Sequence, residues 1–262
     1  MSQYQPRSYW ARLHERADLS AVGQSGLPAG TNRWLYATLE RRLGQFVDRH
    51  QLAPAEVYEV GAGTGYWLDW WARREAMVSG CDLIPAAVER LCARFGDRFE
   101  VLDITERTPG RTANLVLVMN VLLHVTDEQD FRRALAHVAA AVAPGGYLLM
   151  VEPIQSHGRY HRAFRAGASS KARPEKDYVA PLAAAGLDLI ALEPATALGS
   201  DPIEARSRAL LTVETFVWRT LKAPAKVRLG ELSGRLVYGL DPVAIRLGAR
   251  YASRFLLMRR SH

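Results

Sequence analysis

The chain has 262 residues, 48% of them hydrophobic and 23% charged, an ordinary balance for a globular protein that can bury a sizeable core. No apolar run reaches the roughly 18 residues of a membrane span, and the polar N-terminus "MSQYQPRSYWARLHERADLS" lacks a signal-peptide core, so a cytoplasmic protein without stable membrane insertion is expected. The net charge of +7 and pI near 9.6 invite an anionic partner, but most arginines are scattered, and a solvated basic face explains them as well as a nucleic-acid surface does.

In chain order, residues 1–50 read as a helical cap rich in aromatics, among them Tyr9, Trp10, Trp34 and Tyr36. A core follows over residues 51–194. "EVYEV" reads as a strand and "GYWLDWWARRE" as a helix. "AMVSGCD" is a strand, "PAAVERLCARFG" a helix and "RFEVLDI" a strand. "ANLVLVMNVL" is a buried strand, "DEQDFRRALAHVAAAVA" a helix and "GGYLLMVEP" a strand. Such alternation with nearly continuous apolar strands predicts an α/β fold, a parallel sheet covered on both faces. Pro85 suits a first helical turn and Asp127 an N-cap, and Pro144-Gly145-Gly146 is expected to stop one helix and turn into the next strand. A loop rich in His and Arg then leads to a helix over 176–185 and a strand over 187–193. Residues 195–250 form a helical insertion and 251–262 the last core strand. An insertion this long is usually functional. A helical pair packed on the sheet, with a dimer role open, an apolar substrate cover and a membrane-surface helix are the readings of it. Cys81 and Cys92 lack metal-type spacing and read as reduced packing residues.

The stretch from Val57 to Trp67, "VYEVGAGTGYW", gives up side chains directly after a strand. The physical reason is close approach by another backbone or a ligand. The spacing of Gly61, Gly63 and Gly65 is Gly-x-Gly-x-Gly, not the dehydrogenase Gly-x-Gly-x-x-Gly. Acidic residues stand in or at the end of three successive strands: Glu59, Asp82 and Asp103.

Over Glu56 to Glu152 this series resembles the class I S-adenosylmethionine-dependent methyltransferases, in their bacterial small-molecule and glycan branch. "EVGAGTG", "CDLIP", "VLDIT", "LVMNVLLHVTD" and "VAPGGYLLMVEP" occur in the family's order. The resemblance implies a Rossmann-like, mostly parallel seven-stranded sheet with an antiparallel last strand and helices on both faces. It also implies S-adenosylmethionine as cofactor, S-adenosylhomocysteine as product and no metal. Gly61, Ala62, Gly63 and Gly65 would meet the amino-acid part of the cofactor. Asp82 would take the ribose hydroxyls. Leu83 would pack on the adenine, with Asp103 accepting from its amino group and the Ile104 backbone meeting a ring nitrogen. Asn120 would offer a carbonyl to the methionine ammonium. Trp67 is balanced between packing and ligand contact, whereas Trp70 and Trp71 read as packing. "GLPAGTNRWLYATLERRL" is similar to the family's N-terminal helices, and Arg33 there would pair the methionine carboxylate, with Trp34 or Tyr36 near the sulfonium.

For the transfer itself, holding the acceptor in line does most of the work, and a hydroxyl acceptor gains from a general base. His157, His124 and Glu152 are the candidates. His157 is the first choice of base, because the loop after the fifth strand normally lines the family's acceptor pocket, although His157 and His161 also suit a surface position. His124 reads first as a pocket-shaping or cofactor-shell residue. The expected function is O-methylation of a small molecule or glycan. N- or C-methylation, a nucleic-acid methyltransferase and a non-catalytic relative are the alternatives. The fourth strand ends "MNVL", without the Asn/Asp-Pro-Pro-aromatic turn used on base amines, which disfavours nucleic acid.

Overall fold

A computed structural model describes residues 4–16, 18–24, 27–156, 160–161, 167–226, 230–247 and 253–261. Three helices come first: α1 (Pro6–Leu13), α2 (Leu19–Val22) and α3 (Ala29–Arg49). The core then runs β1 (Glu56–Val60), α4 (Tyr66–Ala72), β2 (Met77–Asp82), α5 (Pro85–Phe95), β3 (Phe99–Val101), β4 (Ala113–Met119), α6 (Glu128–Ala140) and β5 (Val142–Glu152). Short strands β6 (Ile154–Gln155), β7 (Tyr160–His161) and β8 (Arg173–Pro174) lead to α7 (Glu175–Ala184) and β9 (Leu187–Thr196). After β10 (Glu204–Ala205) come α8 (Arg208–Lys226), α9 (Gly230–Arg246) and the last strand β11 (Ser253–Arg260).

The sheet order is β3-β2-β1-β4-β5-β11-β9. β1 to β5 run parallel, and β11 is antiparallel to both of its neighbours, as the sequence predicts. Alternate residues of β4 feed opposite faces. Val116 and Val118 pack with Phe131, Leu135, Tyr178 and Leu182 of α6 and α7. Leu115 and Leu117 pack with Leu43 and Phe46 of α3 and the tryptophans of α4. Both faces of a parallel sheet need this cover, which is why its central strand is an unbroken apolar run.

Local signals explain most helix ends. Asp127 caps α6 by accepting from the amides of Gln129 and Asp130 at 2.8 and 2.9 Å. Pro85 occupies the first turn of α5. Pro144-Gly145-Gly146 does not stop the preceding helix. α6 has already ended at Ala140, and β5 absorbs the Pro-Gly-Gly turn as a register shift opposite Ala113 and Leu115. The His/Arg-rich loop carries three two-residue strands, too short for any periodicity to show.

The insertion is a helical hairpin seated on α3 and β9. Gly230 lets the backbone of α9 meet Thr31, whose hydroxyl donates to the Gly230 carbonyl at 2.9 Å. The Arg41 guanidinium stacks on Tyr238 at 4.0 Å, and Trp218 of α8 is buried with Leu27, Leu35 and Val237. The Asp241 carboxylate joins hairpin to sheet by accepting from the amides of Ala197 and Leu198 at 2.8 and 2.7 Å. Asp241→Ala leaves both amides unpaired. Urea unfolding is expected to show a loss of roughly 2 kcal/mol, the size of stranded buried polar groups.

Candidate active site

The strand order reverses between β1 and β4, and open α/β sheets bind ligands at the carboxyl ends of strands flanking such a point. A cavity of about 780 Å³ lies there, within the roughly 300–1,000 Å³ of small-molecule sites. Its floor is the glycine loop. Gly61 and Gly63 have φ of +69° and +54°, and a Cβ on either would meet Val121 or Val22 at 2.7–2.8 Å. Gly65, at φ +76°, opens α4. The loop therefore needs glycine for backbone conformation and for space.

Asp82, at the end of β2, lines the cavity and is buried. One oxygen accepts from the Gly63 amide at 2.8 Å and the other from Ile84 at 2.9 Å. The carboxylate thus holds the loop that precedes it and the turn that follows it, and each oxygen keeps a lone pair. Burial raises its pKa, against its two amide donors, His14 and Arg90. Glu59 is also buried in the cavity wall, with one carboxyl oxygen unpartnered. Burial and the charge of Asp82 push its pKa well above the usual carboxylate range. Asp103 accepts from the Thr105 amide and hydroxyl and meets Arg7 at 3.5 Å. Leu83, Ile104, Ala62 and Trp67 line the same cavity, and Trp67 is stacked on Tyr36 at 5.5 Å. Trp70 and Trp71 are buried in the α3–α4 layer, as packing residues are. Asn120, at the end of β4, adopts φ +57° and lines the cavity. Its amide donates to Val151 at 2.7 Å.

Two expectations are corrected by geometry. Arg33 does not line the cavity and pairs instead with Glu231 of α9, an ion pair that draws its long side chain toward the hairpin. Tyr36, on the same helix, lines the cavity. Glu152 ends β5 but is fully buried and does not line the cavity. Its oxygens accept from the amides of Val121, Leu122 and Leu123 at 2.9, 2.7 and 2.9 Å. Burial pushes it up to about 7 despite those donors and Arg173. It is an anchor for the turn after β4, with no path to an acceptor. No described residue of the insertion lines the cavity. His157 lies outside the described residues. For His161 only its strand pairing with Glu204 is described.

His124 does face the cavity, from the 3₁₀ turn over Leu122–His124 that Glu152 holds. Its Nδ1 lies 2.6 Å from the Ser169 carbonyl, which makes Nδ1 the donor and leaves a lone pair on Nε2. Burial lowers its pKa to about 4. The edge of the Trp10 ring meets it at 4.7 Å.

The sequence suggests an N-terminal helical cap but not which of its first residues reach the site. Tyr4, Arg7, Trp10 and His14 all line the cavity, and Arg7 reaches Asp103 and Glu106 at 3.5 Å. His14 is buried and takes a hydrogen bond from Arg90 at 3.3 Å through Nδ1. The density of aromatic and basic side chains in "YQPRSYWARLH" was the available signal.

These residues fit S-adenosylmethionine. Two acidic side chains at strand ends have acceptor capacity to spare, Glu59 holds an unpartnered oxygen inside the wall, and the floor is a glycine cradle that any Cβ would fill. A family model described as a methyltransferase domain matches residues 31–192, more than half of the chain. The chain belongs to the class I S-adenosylmethionine-dependent methyltransferases.

No curated protein matches the sequence. Among solved structures, the methyltransferase is similar to the N-methyltransferase NodS from Bradyrhizobium japonicum WM9 in complex with S-adenosyl-L-homocysteine, at 14% identity and a TM-score of 0.53 over 97% of this chain and 99% of that one. It is similar to the Burkholderia thailandensis 1,6-didemethyltoxoflavin-N1-methyltransferase at 15% identity and 0.52, over 86% and 79%. It is similar to the [4+2]-cyclase SpnF at 18% and 0.52, over 85% and 80%. At these identities the likeness is one of fold. Among the described residues no group of His, Cys, Asp or Glu side chains could hold a metal ion, and no helix is long and apolar enough to cross a membrane.

Asp82→Ala removes the acceptor for two amides and for the cofactor together. Calorimetric titration with S-adenosylhomocysteine is expected to show binding weakened by about a hundredfold, in line with the roughly 2–5 kcal/mol cost of breaking a buried charged contact. Asp188→Ala, at an exposed position outside the cavity whose carboxylate accepts from Ser261, should leave binding unchanged. Glu152→Ala strands three amides, that of Leu122 buried and those of Val121 and Leu123 part-buried, and is expected to cost about 3 kcal/mol in urea unfolding. Glu152→Gln, with one acceptor oxygen left, should fall between it and the parent.

Proposed function

We propose that the methyltransferase moves a methyl group to a hydroxyl of a small molecule or sugar. The observation that carries this reading is that a single cavity joins the acidic strand ends to His124 and Trp10 under a roof supplied by the chain's own first helix. A chamber roofed by α1 suits a compact acceptor rather than a long polymer.

When bound, S-adenosylmethionine supplies a methyl group already activated on a sulfonium. Asp82 would hold the ribose hydroxyls and Asp103 the adenine amino group. The glycine loop, with Glu59 behind it, would seat the amino-acid end together with the Asn120 carbonyl. Trp10, Tyr36 and Trp67 exclude water, and their ring faces are compatible with a cation. His124 has its tautomer set by Ser169, so Nε2 is free to accept the proton of an acceptor hydroxyl. Its low pKa keeps it unprotonated at neutral pH but also makes it a weak base. That weakness favours a second reading, a nitrogen acceptor whose own lone pair attacks. The toxoflavin and NodS proteins, both named as N-methyltransferases, support it only through shared fold.

Methyl transfer from labelled S-adenosylmethionine to panels of sugar and small-molecule alcohols and amines tests both readings. With a hydroxyl acceptor, His124→Phe should lower kcat by about a hundredfold, within the usual range for a lost general base, while S-adenosylhomocysteine affinity stays unchanged. With an amine acceptor kcat should scarcely move. The pH profile follows from the sign of the shift. Protonation removes the base only below the depressed pKa, so the acid limb of kcat/KM should lie near pH 4 and not near 6.5. Failure of every alcohol with turnover of an amine would replace the first reading by the second.

A further inference from the structure

The outer side of the α8–α9 hairpin is apolar and is left uncovered. Thirteen large hydrophobic side chains stand exposed among the described residues; seven of them lie on these two helices and an eighth, Leu247, just past the end of α9. On α9 and its end they are Leu232, Leu236, Leu240, Val243 and Leu247, a spacing that keeps one helical face. On α8 they are Val213, Phe216 and Val217, with Phe216 69% exposed. The opposite face of α9, with Ser233, Gly234, Val237 and Asp241, is spent on α3 and the β9 end, so the hairpin is a fixed platform whose outer face has no partner among the described residues.

Charge selects the occupant. Residues 208–250 hold eight Lys/Arg and three Asp/Glu, a net +5 of the chain's +7. Of the three acids, Asp241 is turned inward to the 197–198 amides, and Glu231 is paired with Arg33 and Arg235. Arg219 and Arg246 are exposed on the same helices as the apolar rows. A symmetric contact with a second copy would bring two such positive faces together. An anionic lipid surface satisfies both features at once, taking apolar side chains at the acyl boundary and basic ones at the headgroups. We propose that the α8–α9 hairpin docks the protein on the surface of an anionic phospholipid membrane, lying in the interface without crossing it.

The test is cosedimentation of the full chain with phosphatidylcholine vesicles, plain or containing about 30 mol% phosphatidylglycerol, with light scattering of the free protein. Binding to the anionic vesicles is expected, at least tenfold weaker on the neutral ones and suppressed in about 1 M salt, where the Debye length falls to roughly 3 Å. Arg219→Gln with Arg246→Gln should weaken anionic binding by roughly thirtyfold, from the typical contribution of each basic residue near such a surface. Phe216→Ser with Leu236→Ser should abolish it while the thermal melt followed by circular dichroism stays cooperative. The charge pair guards against misfolding of the apolar variant. Absence of binding to anionic vesicles overturns the proposal. So does a stable dimer in solution that Phe216→Ser with Leu236→Ser splits, because the face would then belong to a second copy. None of these readouts depends on methyl transfer, so the proposal and the acceptor assignment fail separately.

Discussion

The carboxylate of Glu152 and the three amides of Val121, Leu122 and Leu123 form the contact on which the acceptor side depends. After β4 the chain must leave the sheet at its carboxyl end, where backbone donors have no strand to pair with. Glu152, at the end of the adjacent parallel strand, supplies the missing acceptors. With those amides held, the next residue is His124, and its ring reaches Ser169 on one side and Trp10 on the other. Arg173 closes the far side of this knot, donating to the Val125 carbonyl at 2.6 Å and lying over Phe131 at 3.9 Å. A carboxyl with no route to the reaction thus sets the position of an imidazole that faces it.

The cofactor side is built on the same economy. Asp82 must be buried and charged to serve a ligand, which is costly alone. The amides of Gly63 and Ile84 compensate that cost, and both belong to the turns that shape the cavity. Recognition and local folding are therefore one set of hydrogen bonds, and a change at Asp82 disturbs both. Glu59 lacks such compensation, so burial leaves it with a raised pKa and an unpartnered oxygen.

The core was legible because its constraints are local. Strand periodicity, helix caps and the Gly-x-Gly-x-Gly loop each follow from backbone geometry over a few residues, and together they order the sheet. That Asp82, Asp103 and Asn120 line the cavity follows from their places at the carboxyl ends of the parallel strands, the side on which open α/β sheets bind ligands. Arg33 and Glu152 were misplaced for a different reason. Each sits on the right element, but the face it presents is set by packing against segments distant in sequence: α9 for Arg33, the 121–123 turn for Glu152. An N-terminal cap was expected, but its site-facing residues were not singled out, because contacts such as Arg7 with Asp103 and His14 with Arg90 join segments distant in sequence and leave no periodic trace. The two-residue strands after β5 lie below the length at which any pattern exists.

That division between local and distant constraints bears on what the fold can decide. The same architecture carries proteins named as N-methyltransferases and one named as a [4+2]-cyclase, so the fold does not choose the reaction. In this chain the part of the cavity beside His124 is walled by α1 and by the turn held by Glu152, not by the strands. Trp10 and His124 touch each other across that junction. On the proposed reading, selectivity would reside where a segment from the start of the chain meets a turn from its middle, and replacing either side alone would change which molecule fits without disturbing Asp82 or Asp103.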